Sequence, residues 1–154
     1  MKIINTYLAD MLNGEGLRDV YFFSGCSHHC PGCFNKETWD PDVKGARAWT
    51  PDDFEKMIEN ASQDYISGIT LTGGDPLYLG NRQDILGLCQ DFKHRLPGKT
   101  IWLYTGYLVS DIKEFLPELL DYVDVVCEGR YIDSLKSPDK PWVGSSNQNV
   151  VRIH

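Results

Sequence analysis

Apolar positions along this chain switch between two spacings. Val20–Phe23 (VYFF), Gly68–Thr72 (GITLT), Thr100–Tyr104 (TIWLY) and Val123–Cys127 (VDVVC) are short apolar runs bounded by turn residues, and each predicts a strand. Between the first two, Phe54, Met57, Ile58 and Ala61 recur at helical spacing. Thr50 as N-cap, Pro51 at the first helical position and the acids Asp52 and Asp53 in the first turn open that helix. Ile85, Leu88, Cys89, Phe92 and Leu96 form one stripe of a second helix over roughly Gln83–Leu96, stopped by Pro97-Gly98. Ser110–Leu116 predicts a third helix, which Pro117 kinks or restarts. Asn149–Ile153 is a last strand.

This alternation predicts an α/β fold with a mostly parallel sheet built from βα repeats. The 154 residues read as a single domain, residues 1–154. A closed barrel of eight βα units takes about 200 residues or more, so about five or six strands are expected to form an open partial (β/α) barrel. Crossovers between parallel strands are right-handed, so the strands present their C-terminal ends on one rim, where ligands bind in such folds. Each predicted strand end carries an unusual loop: GCSHHCPGC, GGDP, YTGY and EGR.

The first loop holds the main chemistry. Cys26, Cys30 and Cys33 stand at Cys-x3-Cys-x2-Cys spacing. Three thiolates suit three corners of a cuboidal four-iron cluster and leave one iron open to a ligand, whereas ordinary four-cysteine clusters are closed. Zinc is the competitor, with His28 or His29 completing a Cys3His set, but structural zinc usually takes two separate cysteine pairs. The spacing favours iron–sulfur, and the two histidines read as solvated loop residues. Cys89 reads as a core thiol on its helical stripe. Cys127 ends a strand near the rim and fits either a structural role or that of a fourth ligand.

Two readings fit each of the other loops. Gly73-Gly74-Asp75-Pro76 is a turn, or a cradle in which backbone approaches an amino-acid ligand and Asp75 meets its ammonium group. Thr105-Gly106 is a strand-to-helix turn or part of the same site. Glu128 and Arg130 form a surface pair or contact ribose and carboxylate. Phe34 touches a purine or belongs to the core, and Asn35 caps the segment KETW. Trp142–Gln148 is a polar turn or the lining of an opening.

Composition narrows the rest. Net charge is −7 and no basic block occurs, so a nucleic-acid surface is not expected. No stretch reaches the roughly 18 apolar residues of a membrane span. The N-terminal residues carry acids and turn formers early, unlike a signal peptide. Five cysteines, three of them crowded into one loop, argue against a disulfide framework and for a reducing compartment, the cytoplasm.

With these residues in view, the chain resembles the radical S-adenosylmethionine (SAM) superfamily, whose signature Cys26, Cys30 and Cys33 match. NGEGLR (Asn13–Arg18) resembles the opening of activating enzymes for glycyl-radical proteins, with Glu15 where proline is usual. CPGCFNKETW (Cys30–Trp39) and WVGSSNQ (Trp142–Gln148) are similar to activases of the anaerobic ribonucleoside-triphosphate reductase. The GSSNQ run separates these from activases of the pyruvate formate-lyase type.

The resemblance implies one [4Fe-4S] cluster on the three cysteines, with SAM on its fourth iron and a 5′-deoxyadenosyl radical formed by reductive cleavage. That radical takes a hydrogen from a glycine of the reductase large subunit, with a low-potential donor such as a flavodoxin supplying the electron. It further implies cofactor contacts from Gly32, Cys33, Phe34, Gly73, Gly74, Asp75, Thr105, Glu128 and Arg130. Docking of the partner falls to Trp142, Gly144, Ser145, Ser146, Asn147 and Gln148. A non-catalytic zinc or electron-transfer module is the alternative from another class.

Overall fold

In the computed structural model, residues 1–33 and 36–154 are described. Seven strands form one sheet in the order β3-β1-β2-β4-β5-β6-β7. The strands are β1 (Lys2–Asp10), β2 (Arg18–Phe23), β3 (Arg47–Ala48), β4 (Gly68–Gly73), β5 (Thr100–Tyr104), β6 (Val125–Glu128) and β7 (Asn149–Arg152). The central four, β2, β4, β5 and β6, are parallel. The flanks are antiparallel, with β1 paired to β2 and β3 and β7 paired to β6, so the sheet is mixed. The βα repeats predict only the centre. β1 lacks a clean apolar alternation, since most of its residues are exposed, and so gives no period-two signal.

Three helices, α1 (Pro51–Ala61), α2 (Arg82–Arg95) and α3 (Val109–Phe115), lie within one or two residues of their predicted bounds. α1 starts where expected because Thr50 and Asp53 form a reciprocal capping box. Pro117 restarts the chain as a 3-10 turn over Pro117–Asp121.

The strand alternation sorts side chains to two faces. Ile69, Leu71, Ile101, Leu103 and Val126 join Met57, Ile58 and Ala61 of α1, Ile85, Leu88, Cys89 and Phe92 of α2, and Ile112 of α3 in the main core. All three helices thus pack on one face. Cys89 is the core thiol that its stripe predicts. On the opposite face Trp102, Val125 and Cys127 pack with Trp142, Val143 and Val150.

Buried Arg18 crosses the lower part of that opposite face. Its guanidinium donates to Thr70 Oγ1, Thr100 Oγ1 and the carbonyls of Glu15, Ile69 and Thr100, tying β2, β4 and β5 together. The arginine of the NGEGLR run is therefore a brace at the end of the sheet away from the cysteines.

Candidate functional site

The cysteine loop leaves the C-terminal end of β2 and is pinned at its neck by backbone. Gly25 N–H donates to Thr38 O and Cys26 N–H to Trp39 O, which closes the segment into a loop. The GGDP turn then grips that neck: Gly74 N–H donates to Phe23 O and Asp75 N–H to Gly25 O. Both glycines are required by this contact. A Cβ on Gly73 would lie 2.1 Å from Phe23 O, and one on Gly74 would lie 2.5 Å from Gly25 O and 2.7 Å from Thr38 O. The close approach that glycine permits here is to the cysteine loop itself.

Asp75 departs further from expectation. It is 1% exposed, and its carboxylate is already engaged. Oδ1 accepts from Leu77 N–H at 2.9 Å. Oδ2 accepts from Thr105 Oγ1 at 3.0 Å and Gly106 N–H at 2.9 Å, and sits 2.7 Å from His28 Nε2. Asp75 and Thr105 thus join the ends of β4 and β5 to the cysteine loop, and the carboxylate is not a vacant partner for an ammonium group. His28, expected to be solvated, has a side chain only 3% exposed. His29 does stay exposed, with its ring stacked on Trp39 at 4.4 Å.

Cys26, Cys30 and Cys33 line one open cavity of about 210 Å³ on the C-terminal rim of the parallel strands. Gly73, Gly74, Asp75, Thr105, Arg130, Gly144 and Gln148 share that lining, as do Cys127, Trp39 and Tyr131, so the rim brings together residues from all four loops. Cys30 lies near the Arg130 cation and faces the Tyr131 backbone N–H. Tyr131 carried no signal in the sequence beyond its place after EGR. Burial pushes the Cys26 and Cys30 thiols up from the ordinary range, so metal loading would displace their protons. Burial also pushes Cys127 up, to about 12, which keeps it a neutral thiol and disfavours it as a fourth thiolate.

Two candidates do other work. Glu128 accepts from Val109 N–H at 2.7 Å, at the start of α3, instead of pairing with Arg130 or lining the cavity. Gly32 has φ +76, a left-handed conformation that glycine adopts without strain, and it faces the Asp133 side chain, so its glycine is set by the turn of the loop. Phe34 and Asn35 lie outside the described residues.

The GSSNQ run is a knot. Gln148 Oε1 accepts from Gly144 N–H, Ser145 N–H and Ser145 Oγ, while its Nε2 donates to Gly129 O. Asn147 Nδ2 donates to Arg130 O. Ser145 is fully buried, so its side chain cannot meet a partner, and Trp142 packs its ring 5.1 Å from that of Trp102. Ser146 is exposed. The run fixes the 129–131 strip that faces Cys30.

The wall fits a polar, sulfur-ligated group. His28 Nδ1 and Trp39 Nε1 are buried on it without a hydrogen-bond partner, as is the Tyr104 hydroxyl, which sits beside the Cys127 thiol but outside hydrogen-bond geometry. Among the described residues no three His, Cys, Asp or Glu side chains stand at the spacing of ligands to a single ion. A four-iron cube places its three ligands on separate metal atoms, so the thiols need to ring a cavity instead of meeting at a point. Soft thiols without an available carboxylate suit iron–sulfur chemistry.

These are the features of an iron–sulfur domain with one three-cysteine site. The family model described as "4Fe-4S single cluster domain" matches residues 12–151. An anaerobic ribonucleoside-triphosphate reductase-activating protein of Enterobacteria phage T4 is 44% identical over 150 residues, covering 97% of this chain and 93% of the phage protein. Proteins of the same name from Salmonella typhimurium and Escherichia coli K12 are 39% and 40% identical, over 97% and 94% of each chain. The chain belongs to the family of anaerobic ribonucleoside-triphosphate reductase-activating proteins. No helix among the described residues is long and apolar enough to cross a membrane.

Proposed function

We propose that this chain activates an anaerobic ribonucleoside-triphosphate reductase by generating a glycyl radical on the large subunit. The observation that carries the reading is the ring of three thiols on the C-terminal rim, in a chain whose relatives bear that name. Cys26, Cys30 and Cys33 would hold a [4Fe-4S] cluster, which together with bound SAM would supply the strongly reducing electron and the radical chemistry that forming a glycyl radical needs.

The chain's own residues bind, orient and shield. The GGDP turn holds the cysteine loop by its neck. Arg130 is exposed and lines the cavity, and its cation would meet a carboxylate of the ligand. Trp39, Tyr104 and Tyr131 limit water on the sides. The face without helices stays open at the rim, consistent with a partial barrel, and gives a peptide loop of the partner wider access than a closed barrel would. Gly144 and Gln148 of the GSSNQ run line the cavity, whereas Trp142 lines a separate hollow with Met11, Gly14, Glu15, Gly16 and Leu17. Five free thiols suit a reducing cytoplasm, and a flavodoxin-like donor is the expected electron source.

The test is anaerobic reconstitution with iron and sulfide, followed by electron paramagnetic resonance after adding SAM, dithionite and the reductase large subunit. A doublet glycyl signal that disappears in Cys30→Ala is the expected result. Retention of full cluster content and SAM cleavage by Cys30→Ala would reject the ligand assignment.

A further inference from the structure

The sequence places His28 midway between two ligand cysteines, where a solvated side chain is expected. The structure instead plugs its ring into a socket made by two other motifs. Its Nε2 meets Asp75 Oδ2 at 2.7 Å, and Asp75 is itself held by Thr105 and Gly106. A Cβ on Gly106 would lie 2.5 Å from His28 Cδ2, so only glycine leaves room for the ring at that point. The Tyr107 ring closes the socket edge-on at 4.6 Å. Arg82 backs Tyr107, donating to its hydroxyl at 3.1 Å.

The plug fixes more than the ring. His28 stands two residues from Cys26 and two from Cys30, so seating its ring anchors the loop between those two thiols. His29 follows with φ +50, in the left-handed region that few non-glycine residues occupy.

We propose that His28 is the positioning residue of the cluster site: seated between Asp75 and Gly106, it anchors the loop that carries Cys26 and Cys30 and so slows loss of the cluster. This rests on the cluster reading above and assigns that site an anchor. It also gives Asp75, Thr105 and Gly106 a shared task, which is to receive the cysteine loop.

The experiment compares wild type, His28→Ala, His28→Gln and Gly106→Ala after anaerobic reconstitution. Iron and sulfide content and the rate of iron loss to a chelator are measured. His28→Ala is expected to take up the cluster and to lose iron on the order of tenfold faster, in line with changes to the groups that orient metal ligands. His28→Gln keeps a donor at the Nε2 position and is expected to restore most of the wild-type retention. Gly106→Ala leaves His28 in the chain but crowds its ring, and speeds iron loss as His28→Ala does.

A wild-type rate of iron loss in His28→Ala overturns the proposal while leaving the cluster reading intact. Wild type that takes up no iron and sulfide overturns both. Should His28→Ala fail to fold, Gly106→Ala decides: faster iron loss supports the proposal and an unchanged rate overturns it.

Discussion

Replacing Arg18 with methionine tests whether the arginine of the NGEGLR run is a brace or part of the chemistry. The guanidinium is 1% exposed and makes five hydrogen bonds across three strands. A hydrogen bond to a charged group contributes about 1.5–3 kcal/mol. Against this stands the cost of burying the cation, visible in a pKa lowered from 12.5 to about 10, chiefly by burial and partly offset by Asp124. That lowering corresponds to about 3 kcal/mol against the charged form.

Methionine removes the charge and its burial cost but strands the carbonyls of Ile69 and Thr100 beneath it. The Thr70 and Thr100 hydroxyls can rotate to other partners, so the loss falls short of the gross value. The expected net loss is about 3–5 kcal/mol, the usual result of breaking a buried charged network from one side. For a domain with roughly 5–15 kcal/mol to lose, that is severe. Urea unfolding of the metal-free chain, followed by far-ultraviolet circular dichroism, should show the midpoint falling by about 1 M or more at an unchanged slope. Cluster content per folded chain should remain as in wild type. A loss under about 1 kcal/mol, or a folded variant that binds no iron, would refute the brace.

Two further outcomes are expected. Cys89→Ala, in the core beneath α2, should cost about 1–2 kcal/mol in urea unfolding and leave iron and sulfide content unchanged, and a lost cluster would contradict the core assignment. Asp53→Asn should cost about 1 kcal/mol at neutral pH, because the Thr50–Asp53 box caps α1. The Arg47 guanidinium first, and Thr50 after it, hold the Asp53 carboxylate well below the usual range. Its contribution is therefore full above the unfolded value of about 4 and is lost as pH falls below it. The gap between wild type and variant should shrink as pH falls from about 5 to 2, and a gap that stays constant over that range would contradict the ion-pair account.

What could be read in advance follows from how local each determinant is. α1 announced itself because Thr50, Pro51 and Asp53 act within four residues. The parallel centre announced itself because β4, β5 and β6 are buried on both faces and read as continuous apolar runs. β1 did not, since its side chains are mostly exposed and its role is set by pairing with β2. At the rim, the three cysteines were legible from spacing alone. The partners of Asp75 were not, because His28, Thr105 and Gly106 are far from it in the chain and meet it only through the sheet. Glu128 shows the same limit: its tie to Val109 crosses from the end of β6 to the start of α3. The GSSNQ run marks a family by sequence, yet its glutamine acts inward, on backbone that only folding brings near.

The first strand has one more consequence. Beyond Ile3, no described strand pairs with the outer side of β1, because β3 matches only Lys2 and Ile3. An unpaired margin of this kind invites sideways stacking of neighbouring molecules into fibrils. Two breaks in register, at Ile3/Asn5 and at Tyr7/Asp10, bend this margin and spoil the straight ladder that a second molecule would need. Straightening either kink by deleting one residue would be expected to make the chain precipitate, even with every cysteine in place.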